Sequence, residues 1–349
     1  QVLIFRQEED GTCRLMEVIQ SNGSAFEQVE YVQMDDAPGY ELVVGRQLSD
    51  QVLRSVSVYS FSGGSAEQLM MVGYSKFISC DLDDDGCSEL MVILPGESET
   101  GTGSAVLYRV QDGSIERSVE VNVSENASHI RRITEGRLLG GTPAVFVASA
   151  VNESAIVTDV FAWRNDRFSN ISYSRDSDTS VQTLRNYYVY AEDIDGDGVM
   201  ELPSLITMKR ISPEHEEKQK FLIRWFAMDL EGREMDKLFT FHNYLGGWYM
   251  QLASSWAARV SVDQDGGRYT FYVWDEDYRQ ALDVFSIYVL TGGSREEDAT
   301  VDGRFAFYRA EGVVYAAKLE ANAAEFGITE NQLINSFHLI QQDWKTGET

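Results

Sequence analysis

Two short stretches carry side chains at a spacing that can do metal chemistry. They are Asp81-Leu82-Asp83-Asp84-Asp85-Gly86-Cys87-Ser88-Glu89 and Asp193-Ile194-Asp195-Gly196-Asp197-Gly198-Val199-Met200-Glu201. Each has carboxylates at loop positions 1, 3, 5 and 9 and a glycine at position 6. Alternate residues of a tight loop can turn several carboxylates toward one centre, and Ca²⁺ takes six to eight oxygens. The glycine supplies the backbone freedom that so sharp a turn needs. The spacing therefore predicts two calcium loops. The competing reading is a pair of acidic turns without metal, since Asp and Gly are ordinary turn residues.

An EF-hand is excluded. That loop needs a bidentate Glu at position 12 and flanking helices. Position 12 is Val92 in one copy and Ser204 in the other, and Glu89-Leu90-Met91-Val92-Ile93-Leu94 reads as a strand.

Other chemistry is thinly represented. The four histidines, His129, His215, His242 and His338, share no ligand spacing. His215-Glu216 opens a metalloprotease pattern that fails at Gln219. No GxSxG nucleophile elbow or Walker A loop occurs. Gly101-Thr102-Gly103 begins a dinucleotide fingerprint that fails at Val106. Carboxylate pairs abound, so a glycosidase-type pair stays open as an alternative.

Charge narrows the partners. The 349 residues carry 29 Lys plus Arg against 56 Asp plus Glu, a formal net charge of −27. Nucleic acid is excluded, because its backbone is held by clustered cations. No apolar run approaches the ~20 residues of a membrane span. The chain opens on Gln1, as a trimmed or mature form would, so an upstream signal is compatible with it. Cys13, Cys80 and Cys87 form neither a disulfide framework nor a zinc pattern. Cys80 and Cys87 bracket the first acidic loop, either as a local bridge or as two small thiols.

The elements that must hold these loops are strands. Residues 2–19, 56–72, 105–121, 157–173 and 221–241 each read as an apolar strand, a polar turn and a second strand. Ahead of four of these hairpins lies another strand pair, joined by an acidic loop or a decayed relative of it. Residues 31–45 keep carboxylates at positions 3 and 9 only, and residues 137–147 keep none. The aligned points Glu41, Glu89, Ala144 and Glu201 are spaced by 48, 55 and 57 residues. Four short strands at such a period are the pattern of β-propeller blades. Five blades are expected, the first lacking its leading strands.

The loops at residues 81–90 and 193–202, each ending in Glu-Leu, resemble the FG-GAP/VCBS-type repeats of integrin-alpha-like propellers, over roughly residues 1–243. The resemblance implies Ca²⁺ on the propeller rim. It implies ligands from Asp81, Asp83, Asp85, Glu89 and the Cys87 carbonyl, and from Asp193, Asp195, Asp197, Glu201 and the Val199 carbonyl. The chain departs from the pattern in having Glu at position 9 and Pro203 inside an expected strand.

From about residue 244 the periodicity changes. Strand-like runs at 258–262, 269–274, 284–290 and 305–318 precede a helix, with Thr329 and Gln332 as a capping box and Leu333, Ile334, Phe337 and Ile340 as its apolar stripe. This predicts a small α+β domain over residues 244–349. Its opening, Tyr249-Met250-Gln251-Leu252 ahead of Ser254-Ser255-Trp256, is similar to small α+β domains appended to bacterial lipoproteins, of photosystem extrinsic-protein type. The aromatic groups Tyr187-Tyr188-Tyr190 and Trp248-Tyr249 read either as core filling or as a sugar- or peptide-binding surface. The expectation is a mainly β protein, secreted or surface-anchored in bacteria with a lipid anchor upstream. It acts as a calcium-stabilised, non-catalytic module for an unknown protein or glycan. The alternative is an extracellular polysaccharide hydrolase or lyase.

Overall fold

The computed structural model describes residues 1–20, 25–47, 54–96, 102–111, 113–125, 127–151, 155–209, 211, 220–276 and 279–340. Strands dominate it. The hairpin β1 (Val2–Gln7) and β2 (Cys13–Ile19) stands as a two-stranded sheet. A four-stranded antiparallel meander follows, of β3 (Ala25–Val32), β4 (Glu41–Gln47), β5 (Arg54–Ser60) and β6 (Glu67–Gly73). The next contains β7 (Lys76–Cys80), β8 (Glu89–Pro95), β9 (Thr102–Gln111) and β10 (Ser114–Val121). A third has β11 (His129–Arg137), β12 (Pro143–Ala150), β13 (Ile156–Arg164) and β14 (Arg167–Asn170).

The chain continues into β15 (Glu201–Thr207), β16 (Phe221–Met228), β17 (Glu234–Asn243) and β18 (Trp248–Leu252). A five-stranded sheet follows from β19 (Val260–Asp265), β20 (Arg268–Asp275), β21 (Gln280–Thr291), β22 (Phe305–Ala310) and β23 (Val313–Leu319), with β23 between β21 and β22. Helix α1 (Arg295–Asp298) lies in the β21–β22 connection, and α2 (Glu330–Ser336) follows the sheet. Strand β24 (Phe337–Leu339) then pairs with β18, extending that sheet to five strands. Six antiparallel sheets result, each with a linear strand order and none closed into a barrel among the described residues. The chain divides into two compact units, residues 1–200 with 228–234, and residues 201–227 with 235–348.

Period-2 alternation explains the packing of the first unit. On β4, Leu42 and Val44 face the β1–β2 hairpin through Ile4 and Ile19, while Val43 joins Phe77, Leu90 and Val92 of the next sheet. On β8, Leu90 and Val92 face back to β4, while Met91 and Ile93 face forward to Val145, Val147 and Phe161 of the third meander. Inner strands buried on both faces read as unbroken apolar runs, and β4, β8 and β12 are so buried. The second unit has its own core around Trp248, Met250, Phe271 and Phe285.

All five hairpins form as the sequence predicts. Three of the four leading pairs form; the strand expected ahead of the second acidic loop does not. Residues 184–192 are irregular there, so that sheet begins at β15. This places Pro203 on an edge strand paired on one side only, the kind of strand to which proline is largely confined in sheets. The capping box at Thr329 is present, but the helix stops at Ser336. Phe337 and His338 belong to β24, so the expected helical stripe breaks after Ile334, which is 40% exposed. Cys13, Cys80 and Cys87 are free thiols. His215, Glu216 and Gln219 lie outside the described residues.

Candidate functional site

The two acidic loops fold alike. In the first, Asp81 lies at the base of the turn. Its Oδ1 accepts from the Asp85 N–H at 3.2 Å and its Oδ2 from the Gly86 N–H at 2.9 Å. Asp193 does the same, accepting from Gly196 at 2.8 Å, Asp197 at 3.0 Å and Gly198 at 2.9 Å. The position-5 carboxylates then accept the position-7 N–H: Asp85 from Cys87 at 2.8 Å and Asp197 from Val199 at 2.9 Å. Both position-6 glycines have positive φ, +92° at Gly86 and +85° at Gly198. This wrapping gathers Asp81, Asp83 and Asp85, each offering an oxygen within 4.8 Å of the others, and gathers Asp193, Asp195 and Asp197 in the same way. Three convergent carboxylates are a donor set that fits a hard cation.

The position-9 glutamates are placed differently from the aspartates. Glu89 is 3% exposed, and its Oε2 accepts the Leu82 N–H at 2.9 Å. Glu41, in a loop that keeps few other carboxylates, accepts the Met34 N–H at 3.1 Å across the same seven-residue interval. The recurrent Glu is thus a clamp closing the base of the loop onto the strand that leaves it. Burial pushes the Glu89 carboxyl up to about 7, against the opposing pull of the Leu82 N–H and Arg109. Burial raises Glu41 as well. Glu201 opens β15 fully buried, with Oε1 at 3.8 Å from Lys237 Nζ.

Arg109, on β9, was invisible as a site residue in the sequence because it sits in a hairpin remote from the loop. Its guanidinium pairs with Asp83 and lies 3.0 Å from Glu89 Oε1, with its carbon 4.7 Å from the Trp163 ring centroid. Arg137 grips Asp84 through two bonds of 3.1 and 2.9 Å. Partial burial, with Asp85 and Asp36 beside it, pushes the Cys87 thiol up to about 11. Both Cys87 and the buried Cys80 are therefore held as thiols at neutral pH.

Beside the first loop, the turns at the ends of the β3–β6 and β7–β10 sheets enclose a cleft of about 770 Å³. Tyr40 and Phe61 form apolar parts of its wall, with Asp36, Asp85, Arg109 and Gln111 among the polar lining. The aromatic groups singled out in the sequence go elsewhere: Tyr190, Trp248 and Tyr249 are buried.

No family model and no curated protein matches the chain. Among solved structures, similarity extends to a rhamnogalacturonan lyase, 10% identical, covering 90% of this chain and 74% of that one at a TM-score of 0.35. A rhamnogalacturonan lyase from Bacillus licheniformis is also 10% identical, covering 99% and 74% at 0.34. A mannose phosphorylase from Leishmania mexicana is 8% identical, covering 76% and 84% at 0.33. Scores this low do not establish a shared fold.

Proposed function

We propose that the chain is a non-catalytic binding module, secreted or displayed on a bacterial surface, whose loops are stiffened by Ca²⁺. The observation that carries this reading is the pair of acidic loops, each drawing three carboxylates within 4.8 Å by the same backbone wrapping. Asp81, Asp83 and Asp85 would hold one ion and Asp193, Asp195 and Asp197 the other, with the Cys87 and Val199 carbonyls as further donors. The ion would supply charge neutralisation and loop rigidity, and no chemical step is assigned to it. The successive four-stranded meanders, packed face to face in chain order, support their reading as propeller blades, with β1 and β2 as the outer half of the first of five.

The test is a calorimetric Ca²⁺ titration of the wild type, Asp83→Ala and Asp195→Ala. Two sites lost one at a time support the proposal; no heat at either loop returns them to acidic turns. The second reading, a polysaccharide hydrolase or lyase, is favoured by one observation, the carboxylate-lined cleft beside the first loop. Release of new reducing or unsaturated ends from a glycan panel, abolished by Asp36→Asn, would replace the first reading with the second.

A further inference from the structure

We infer that the cleft between the β3–β6 and β7–β10 sheets is a saccharide-binding site that accepts neutral or basic sugar chains and rejects acidic ones. This deepens the binding-module reading and rests on it, but it does not require the calcium ions.

The cleft's volume, about 770 Å³, lies within the ~300–1,000 Å³ range of small-ligand sites and has room for a few sugar rings. Its wall combines two kinds of surface. Tyr40 is 59% exposed on the loop between β3 and β4, and Phe61, at the β5–β6 turn, lines the same cleft with its ring 6.5 Å from that of Tyr31. A large exposed aromatic beside a cavity offers a flat apolar face with a polar tip. Around these rings the accessible acceptors are Asp35, Asp36 and Asp85; Glu41 and Glu89 are buried and already accept from the Met34 and Leu82 N–H groups. Ionised carboxylates accept and cannot donate. The matching ligand must therefore present many donors around a flat apolar patch. A pyranose ring does this, with C–H groups on its face and hydroxyls around its rim. Gln111 supplies a donor for the ring and linkage oxygens.

Charge sets the class of sugar. Three accessible aspartates, Asp35, Asp36 and Asp85, line the cleft with one guanidinium, and that guanidinium is already engaged by Asp83 and Glu89. A uronate or sulfated chain would bring further negative charge into this cleft, whereas an amino sugar would be drawn in. A lysine-type ligand satisfies the charge but leaves the ring faces and most acceptors unused, so the geometry favours the sugar.

The experiment is calorimetric titration of the full chain, in 1 mM Ca²⁺ and again in EDTA. The probes are tetramers of glucose, mannose, galactose and glucosamine, with tetragalacturonate and tetralysine as controls. The expected result is saturable one-to-one binding of at least one neutral or basic tetramer and none of tetragalacturonate. Tyr40→Ala and Gln111→Ala, both at exposed positions, should each weaken that binding, Tyr40→Ala by roughly tenfold, as for loss of one stacked ring. Failure of every neutral and basic tetramer overturns the inference. So does binding that both variants leave unchanged, or tetralysine binding with the same Tyr40 dependence, which would mark the cleft as a reader of charge alone. Sugar binding that survives EDTA upholds the cleft even if calcium proves absent. Turnover of a bound tetramer would sink the non-catalytic reading while leaving the cleft a sugar site.

Discussion

Glu89 and Leu82 are joined across the base of the first acidic loop, the glutamate Oε2 taking the leucine N–H at 2.9 Å. Glu41 and Met34 repeat the bond one sheet earlier, where the aspartates have largely gone. The clamp therefore outlasts the metal-type residues, and its first role is to hold the β-sheet connection closed.

Replacing Glu89 should for that reason destabilise the first unit even without metal. In Glu89→Ala the Leu82 N–H and the Arg109 guanidinium lose a buried partner, and each such loss costs about 1–3 kcal/mol. Glu89→Gln keeps an acceptor oxygen and should cost less. Urea unfolding in EDTA reads the difference. Equal stability of all three proteins would show that the bond contributes nothing.

Calcium should add a modest, countable stabilisation. With a Kd of ~0.1 mM, as extracellular modules show, 1 mM Ca²⁺ would contribute about 1.4 kcal/mol per site. The melting temperature should rise with Ca²⁺ in the wild type, rise less in Asp83→Ala and Asp195→Ala, and stay level in the double variant. A rise of the same size in the double variant would mean the ion binds elsewhere.

Arg109 should act against the cation at the first loop. Its guanidinium shares Asp83 with any bound ion, and like charges at that range repel. Arg109→Gln should tighten calcium binding at that loop several-fold while lowering stability in EDTA, because Asp83 and Glu89 then lack their counter-charge. Calorimetry on the Asp195→Ala background isolates the loop. Weaker binding in Arg109→Gln would show that the arginine organises the carboxylates more than it competes.

What the sequence made legible is what local pattern encodes. Alternation and turn residues fix the hairpins, and DxDxDG spacing fixes the gathering of Asp81, Asp83 and Asp85. The remaining features depend on the tertiary fold. The Glu89–Leu82 bond looks, in sequence, like one more ligand at position 9. Arg109 reaches Asp83 only because β9 pairs with β8. The cleft assembles Tyr40 and Phe61 from two separate connections and Gln111 from the end of β9. The end of α2 was misplaced because Phe337 satisfies helical spacing equally well; pairing with β18 decides for the strand.

The second unit should be sensitive to acid through His242. This imidazole on β17 stacks on Tyr249 at 4.9 Å between ring centroids, and Tyr249 stacks in turn on His338 at 4.9 Å. Burial lowers the His242 pKa from 6.5 to about 3. The unfolded chain therefore binds the proton more readily than the folded one between those values. Stability contributed by neutral His242 is complete above pH 6.5 and declines as pH falls toward 3, by up to about 1.4 kcal/mol per pH unit. Burial lowers His338 as well, which adds a slope of the same sign. Urea unfolding of the second unit at pH 7.5, 6 and 5, in wild type and in His242→Phe, measures this. The variant keeps an aromatic ring to stack on Tyr249 and has no proton to take up, so its slope should be shallower. Equal slopes in the two proteins would assign the acid sensitivity to other groups.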